Sequence, residues 1–221
     1  MRAIILGAGS GSRLGGYNKL LIKDKDGCPI LGRMMTDLSR IGIYDITVVV
    51  GYKAINVMSQ YPRFKYIINP IFDITNSAYS TALAFQEDSS PAILIYGENI
   101  YPISPFGSMN KEEDLMLVSS QTIADKHATG PIFDKDGYII GVREGIGTIP
   151  ESIGVFTFNN KHIIYGLINR GMELRDKYMG LVLHEALALA QPTMKAVDYP
   201  YRKFEFDTPQ DYLNYLNSNE I

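Results

Sequence analysis

Three short stretches of this chain are apolar almost without interruption: Ala3-Ile4-Ile5-Leu6, Ile46-Thr47-Val48-Val49-Val50 and Ala92-Ile93-Leu94-Ile95-Tyr96. A strand with one wet face alternates polar and apolar side chains, whereas a run that does not alternate must be covered on both faces. Such strands call for helices above and below a mostly parallel sheet, and the intervening sequence supplies them. Ile30, Leu31, Met34, Met35, Leu38 and Ile41 recur at helical spacing, with Gly42 as a stop. Short helical stretches follow around 53–61 and 77–86, with Lys65–Asn69 as a further strand between them. Strand and helix alternate through the first hundred residues, which predicts an open α/β sheet.

The second half reads differently. Leu115–Val118 is strand-like, and residues 132–140 form a hairpin with its turn at Asp136-Gly137. Residues 152–158 make another strand, followed by helices near 160–170 and 178–190 and by strands at 194–198 and 203–206. The last helix has a clear start: Thr208 as N-cap, Pro209 in the first turn and Asp211 three residues past the cap. With 221 residues, 46% hydrophobic, and neither repeat nor linker, the expectation is one domain over 1–221. Residues 1–100 and 101–221 would be its two halves, the second richer in β-structure.

A net charge of −3 provides no overall field for nucleic acid. One cysteine, Cys28, excludes an intrachain disulfide. Neither a signal-type apolar region nor a membrane span is visible, so a cytoplasmic location is expected. The sequence is silent on oligomeric state, and a homodimer is compatible with it.

Chemistry concentrates directly after the first strand, in Gly7-Ala8-Gly9-Ser10-Gly11-Ser12-Arg13-Leu14-Gly15-Gly16-Tyr17-Asn18-Lys19. The dinucleotide fingerprint fails here because its third glycine falls one place early. The P-loop fails because Tyr17, not lysine, follows Gly16. The remaining reading keeps the glycines for close backbone approach to a polyphosphate and adds Arg13 and Lys19 as cations. A tight turn with two solvated cations is the plain alternative. Position favours the first, since the carboxyl ends of parallel strands line a crevice.

This loop, from Leu6 to Gly15 with Lys19-Leu20-Leu21 beyond it, resembles the signature of nucleotidyltransferases with a Rossmann-like, GT-A-type fold. Three further segments follow in the matching order. Asn69-Pro70-Ile71-Phe72-Asp73-Ile74-Thr75-Asn76-Ser77, with Ser80, resembles the base- and ribose-holding segment of the cytidylyltransferases that act on phosphocholine and 2-aminoethylphosphonate. Glu151-Ser152-Ile153-Gly154-Val155 resembles the strand beside the acceptor pocket, and Phe206-Asp207-Thr208-Pro209-Gln210-Asp211 the terminal I-D-T-P-x-D motif. The spacer between Arg13 and Lys19 also resembles the enzymes that nucleotidylate methylerythritol phosphate and molybdopterin.

The resemblance implies a magnesium-dependent transfer of an NMP, CMP from CTP by preference, to a small phosphorylated or phosphonate acceptor with release of pyrophosphate. It implies residues 1–100 as the nucleotide-binding half and 101–221 as the acceptor-side half, with Arg13 and Lys19 as catalytic cations. Leu6, Gly7, Ala8, Gly9, Ser10, Gly11, Asn69, Asn76, Ser77 and Ser80 would bind the nucleotide, Glu151 the acceptor, and Glu98 and Asp207 the metal. Alternatives stay open: UTP, GTP or dTTP with a sugar 1-phosphate, or a catalytically weak nucleotide-binding regulator. The last is motivated by Glu98, which stands where the family usually has aspartate and is one methylene longer.

Residue by residue, plainer roles compete. Asp207 precedes an N-cap and suits the helix dipole. Asn76, Ser77 and Ser80 suit a helix start, and Asn69 a strand-end turn. His127, His162 and His184 show no metal-ligand spacing, Lys111-Glu112-Glu113-Asp114 reads as a solvated acidic loop, and Lys126 lies near an acceptor-side lysine of the family within a polar stretch.

Overall fold

A computed structural model describes residues 1–121, 128–145 and 147–218. In chain order the elements are β1 (Arg2–Gly7), α1 (Ile30–Arg40), β2 (Ile46–Val50), α2 (Ala54–Gln60), β3 (Lys65–Ile68), α3 (Ser77–Glu87), β4 (Ala92–Tyr96) and β5 (Asn99–Ile100). They continue with β6 (Leu115–Ser119), β7 (Thr129–Phe133), β8 (Ile139–Glu144), β9 (Glu151–Phe158), α4 (Lys161–Glu173), α5 (Met179–Ala188), β10 (Lys195–Asp198), β11 (Phe204–Glu205) and α6 (Pro209–Asn217).

Seven strands form the central sheet in the order β10-β6-β9-β4-β1-β2-β3. Within it β1 pairs in parallel with both β2 and β4, while β9 runs antiparallel between β4 and β6. The unbroken apolar runs have the predicted cause. Ala3 and Ile5 of β1 enter one core with Leu31, Met34 and Leu38 of α1 and Val57 of α2. Ile4 and Leu6 enter the other core with Phe85 of α3, Ile163 and Leu167 of α4 and Val182 of α5. Successive side chains of one strand thus serve two cores, which only a sheet covered on both faces permits.

Two small ribbons accompany the sheet: the hairpin β7–β8, with the Asp136-Gly137 turn as predicted, and the antiparallel pair β5–β11. The second ribbon is not legible in the sequence. Residues 203–206 read as a strand, but its partner Asn99-Ile100 is two residues long and comes directly after β4. Pairing of Glu205 with Asn99 and Phe204 with Ile100 joins parts of the chain about a hundred residues apart. The acidic run at 111–114 corrects the reading of a solvated loop. Asp114 is buried and accepts hydrogen bonds from the backbone N–H groups of Asn159 (2.6 Å) and Asn160 (2.9 Å) and from Thr193 Oγ1 (2.5 Å). Lys126 and His127 lie outside the described residues. Among the described residues no helix is long and apolar enough to cross a membrane.

Candidate active site

β1 ends where its backbone must turn away from the sheet edge, and the glycine loop makes that turn. Gly11 takes φ 57°, and a Cβ there would lie 2.1 Å from the Tyr17 carbonyl oxygen, so both conformation and space demand glycine. The carbonyl of Gly11 accepts from the N–H groups of Leu14 and Gly16, both at 2.9 Å, folding residues 12–16 back on the loop. Asn18 then caps a short 3₁₀ turn, Lys19–Leu21. Its Oδ1 accepts from Leu20 N–H (3.1 Å), and its Nδ2 donates to the Tyr52 carbonyl after β2 (2.9 Å). Leu20 is buried beneath, so Lys19 is directed along the cleft rather than into solvent.

A cleft of about 280 Å³ opens over the carboxyl ends of β1 and β4. Leu6, Gly7, Ala8, Gly9, Ser10 and Gly11 form one wall together with Arg13 and Lys19. Asn69, Asn76, Ser77 and Ser80 contribute a second, and Glu98 and Asp207 a third. Three of the four ordered motifs therefore converge on one space. Glu151 is the exception among the residues singled out: it does not line the cleft but is buried behind it, with Oε1 2.8 Å from Lys203 Nζ. His162 and His184 are also not part of the lining; the His184 ring lies 3.2 Å from the Val142 amide nitrogen.

Arg13 and Lys19, expected on phosphate oxygens, are paired here with the expected metal carboxylates. Lys19 Nζ lies 2.6 Å from Glu98 Oε2 and 2.7 Å from Asp207 Oδ1, and Arg13 Nη2 lies 3.1 Å from Asp207 Oδ2. Burial works against the charge on Lys19, but Glu98 and Asp207 outweigh it and hold its pKa above the ordinary value. Burial raises the pKa of Glu98, which Lys19 opposes and Glu205 and Asp207 reinforce. Burial and the nearby Glu98 charge push the Tyr96 phenol well up, so it stays a neutral hydroxyl at the cleft wall.

The cleft also contains residues that sequence reasoning missed. Glu205 joins Glu98 and Asp207 in a carboxylate cluster in which one oxygen from each lies within 4.8 Å of the others. A signal for it was present: in Phe204-Glu205-Phe206-Asp207 the two phenylalanines are buried, so by alternation the two acids share the opposite face. The β5–β11 ribbon brings this face to Glu98, which immediately precedes β5. Three hard oxygen donors converging in this way fit a divalent ion of the magnesium type. Gly97 permits the close approach: its N–H donates to the Leu6 carbonyl at 2.8 Å, and a Cβ would lie 2.4 Å from that oxygen. Phe72, Tyr96 and Tyr178 supply aromatic wall, none of which spacing alone singled out.

The plainer roles of the polar wall are also realised. Asn69 Nδ2 donates to Thr75 Oγ1 (2.9 Å) and Ser80 Oγ (3.2 Å), while its Oδ1 accepts from Ile71 N–H (3.1 Å), closing the turn after β3. Asn76 is the N-cap of α3, and Ser77 Oγ accepts from Met179 N–H at 2.9 Å, tying α3 to α5. Thr208 and Asp211 form the full capping box of α6 directly behind Asp207. Asn69 and Asn76 thus close a turn and cap a helix while also lining the cleft.

Comparison with known proteins agrees with this geometry. Residues 3–97 match the family described as MobA-like NTP transferase domain. A CMP-5'-(3-aminopropyl)phosphonate synthase of Streptomyces rubellomurinus (strain ATCC 31215) is 30% identical over 110 residues; that alignment spans 46% of this chain and 18% of the relative. The CTP:phosphocholine cytidylyltransferase of Streptococcus pneumoniae shares the fold at TM-score 0.75, 17% identity and 97% coverage of both chains. A nucleoside-diphosphate-sugar pyrophosphorylase of Vibrio cholerae RC9 does so at TM-score 0.74 and 13% identity, covering 97% of this chain and all of its own. Residues 3–97 thus match a MobA-like NTP transferase domain, and the chain as a whole shares its fold with these two structures.

Proposed function

We propose that this chain is a magnesium-dependent nucleotidyltransferase that moves CMP from CTP to a small phosphorylated or phosphonate acceptor. The observation that carries the reading is the meeting, in one cleft, of a glycine loop, two cations and three carboxylates drawn from the start, the middle and the end of the chain. A lysine and an arginine suit the polyphosphate, and Glu98, Glu205 and Asp207 suit a divalent ion. The preference for CTP and a phosphonate or phosphocholine-like acceptor is supported by the activities of the Streptomyces relative and the pneumococcal neighbour.

An anionic oxygen of the acceptor attacks the α-phosphorus, a new P–O bond forms, the bond to the bridging oxygen breaks, and pyrophosphate leaves. Since the attacking oxygen is already charged near neutral pH, no general base is needed, and the chain's task is positioning and charge neutralisation. Gly7 to Gly11 offer backbone N–H groups to the polyphosphate. Arg13 and Lys19, released from Asp207 and Glu98, stabilise charge on the departing pyrophosphate. Glu98, Glu205 and Asp207 would hold a divalent ion, and Asn76, Ser77 and Ser80 face the nucleoside. When bound, magnesium would supply charge neutralisation at the α-phosphate.

A second reading, UTP, GTP or dTTP with a sugar 1-phosphate, is favoured by the Vibrio neighbour. Pyrophosphate release measured with each NTP against phosphocholine, aminoalkylphosphonates and sugar 1-phosphates separates the two. Turnover with CTP and a phosphonate or phosphoalcohol is the expected result. Turnover confined to a sugar 1-phosphate moves the assignment to the second reading, and nucleotide binding without turnover across the panel favours a regulator.

A further inference from the structure

Behind the carboxylate cluster lies a charge that the proposed chemistry does not use. Lys203 is nearly enclosed, its side chain 10% exposed, and its ammonium is shared between Glu151 Oε1 (2.8 Å) and Glu205 Oε2 (3.0 Å). Lys203 is not part of the cleft lining. Glu151 begins β9, a central strand of the sheet, and its side chain is 8% exposed. Glu205, at 36%, is the looser member and the one whose carboxylate reaches the cluster with Glu98 and Asp207. The result is a chain of contacts from a rigid strand, through a buried ammonium, to a cluster carboxylate.

Three carboxylates within 4.8 Å of one another repel, and a glutamate on a short two-residue strand has three side-chain torsions with which to swing away. We propose that Lys203 is a positioning residue that holds the Glu205 carboxylate in the metal cluster, with Glu151 as its anchor on β9. Glu151 then acts on the cleft through Lys203 rather than by touching the acceptor. An ammonium buried alone is costly, so Glu151 also keeps Lys203 charged where it stands. The inference rests on the proposed metal site and extends it to two residues behind it.

The sign of one measurement distinguishes positioning from charge alone. Removing a positive charge beside a cation site strengthens binding if charge is all that matters; losing an orienting partner weakens it, by roughly tenfold or more for residues behind the ligands of metal sites. Mn²⁺ affinity is to be read by electron paramagnetic resonance on wild type, Lys203→Met, Lys203→Arg, Glu205→Gln and the Lys203→Met/Glu205→Gln double variant. The expectation is about tenfold weaker binding for Lys203→Met, recovery in Lys203→Arg, and a double variant no weaker than Glu205→Gln alone. Unchanged or tighter binding in Lys203→Met, or additive losses in the double variant, overturns the proposal. Should Lys203→Met not fold, Glu151→Ala takes its place: it leaves the ammonium without its anchor and is to weaken Mn²⁺ about tenfold, and unchanged affinity there also overturns the proposal. A wild-type protein that binds no Mn²⁺, with or without CTP, removes the metal reading itself and this inference with it. Normal wild-type binding with an unaffected Lys203→Met removes the inference alone.

Discussion

Asp114, just before β6, and Asp207, just after β11, are both shielded carboxylates, yet they are satisfied in opposite ways. Asp114 is held by two backbone N–H groups and a threonine hydroxyl, partners that cannot leave without unmaking the junction of β9 and α4. Asp207 is held by Lys19 and Arg13, cations on flexible side chains that can turn to another anion. Asp24 stands between them: its Oδ1 accepts from the N–H groups of Asp26 and Cys28, and its Oδ2 pairs with Arg33 at 3.2 Å. A carboxylate bound by backbone is committed to the fold, whereas one bound by side-chain cations is available to chemistry. The nature of the partner distinguishes the two.

The sharpest way to break this comparison is at Lys19. Lys19→Ala should lower turnover at least roughly a hundredfold, the scale of losing one contact to developing charge. The same variant should bind Mn²⁺ more tightly in the absence of nucleotide, because the ammonium that lies between Glu98 and Asp207 is gone. Near-normal turnover would show that the cation is merely the carboxylates' partner, and weaker Mn²⁺ binding would show that it does not compete with a metal.

Next in size is the stability contrast. Asp114→Ala orphans three donors and should cost about 2–4 kcal/mol in urea unfolding, with turnover per folded molecule unchanged. Asp207→Asn should cost less than about 1 kcal/mol, since it also relieves repulsion among the clustered acids, while abolishing most turnover. Equal destabilisation by the two variants would erase the distinction. At Asp24 an intermediate result is expected: Asp24→Asn keeps the amide oxygen for the turn and loses the Arg33 pair, for about 1 kcal/mol.

The smallest effect is at the rim, where Asp88 accepts from Ser90 N–H (2.9 Å) and pairs with Arg2 (3.2 Å). Hydrogen bonds from Ser90, and then Arg2, hold its pKa below the usual carboxylate value. A depressed folded pKa means that its stabilisation is present above the unfolded value of about 3.9 and is lost as pH falls through the folded one. Asp88→Asn should therefore lower neutral stability slightly and leave stability in acid nearly unchanged, which flattens the acid limb of the stability curve. A steeper acid limb in the variant would reverse the sign.

Much of this molecule was legible along the chain. The central strands, α1, the hairpin turn and the capping box at Thr208 rest on periodicity and local turn chemistry, and the structure has them within a residue or two. The glycine loop and the order of the motifs pointed to one cleft, and the described residues place three of the four segments around it. What escaped were features fixed by partners distant in sequence: the two-residue strand β5, the burial of Asp114 and the contribution of Glu205. The ion pair of Glu151 with Lys203 also escaped, because a strand position says which face a side chain takes but not what lies behind that face.

Local sequence set where this chain bends, which stripes seek cover and which loop can approach a polyphosphate, since these depend on a residue and its near neighbours. Which acids meet, which cation is shared and which carboxylate remains available were decided by the ribbon that pairs Asn99 with Glu205 and by the packing of β9 behind it. Charges interact through space at distances set by the whole fold, so no window of sequence contains that information.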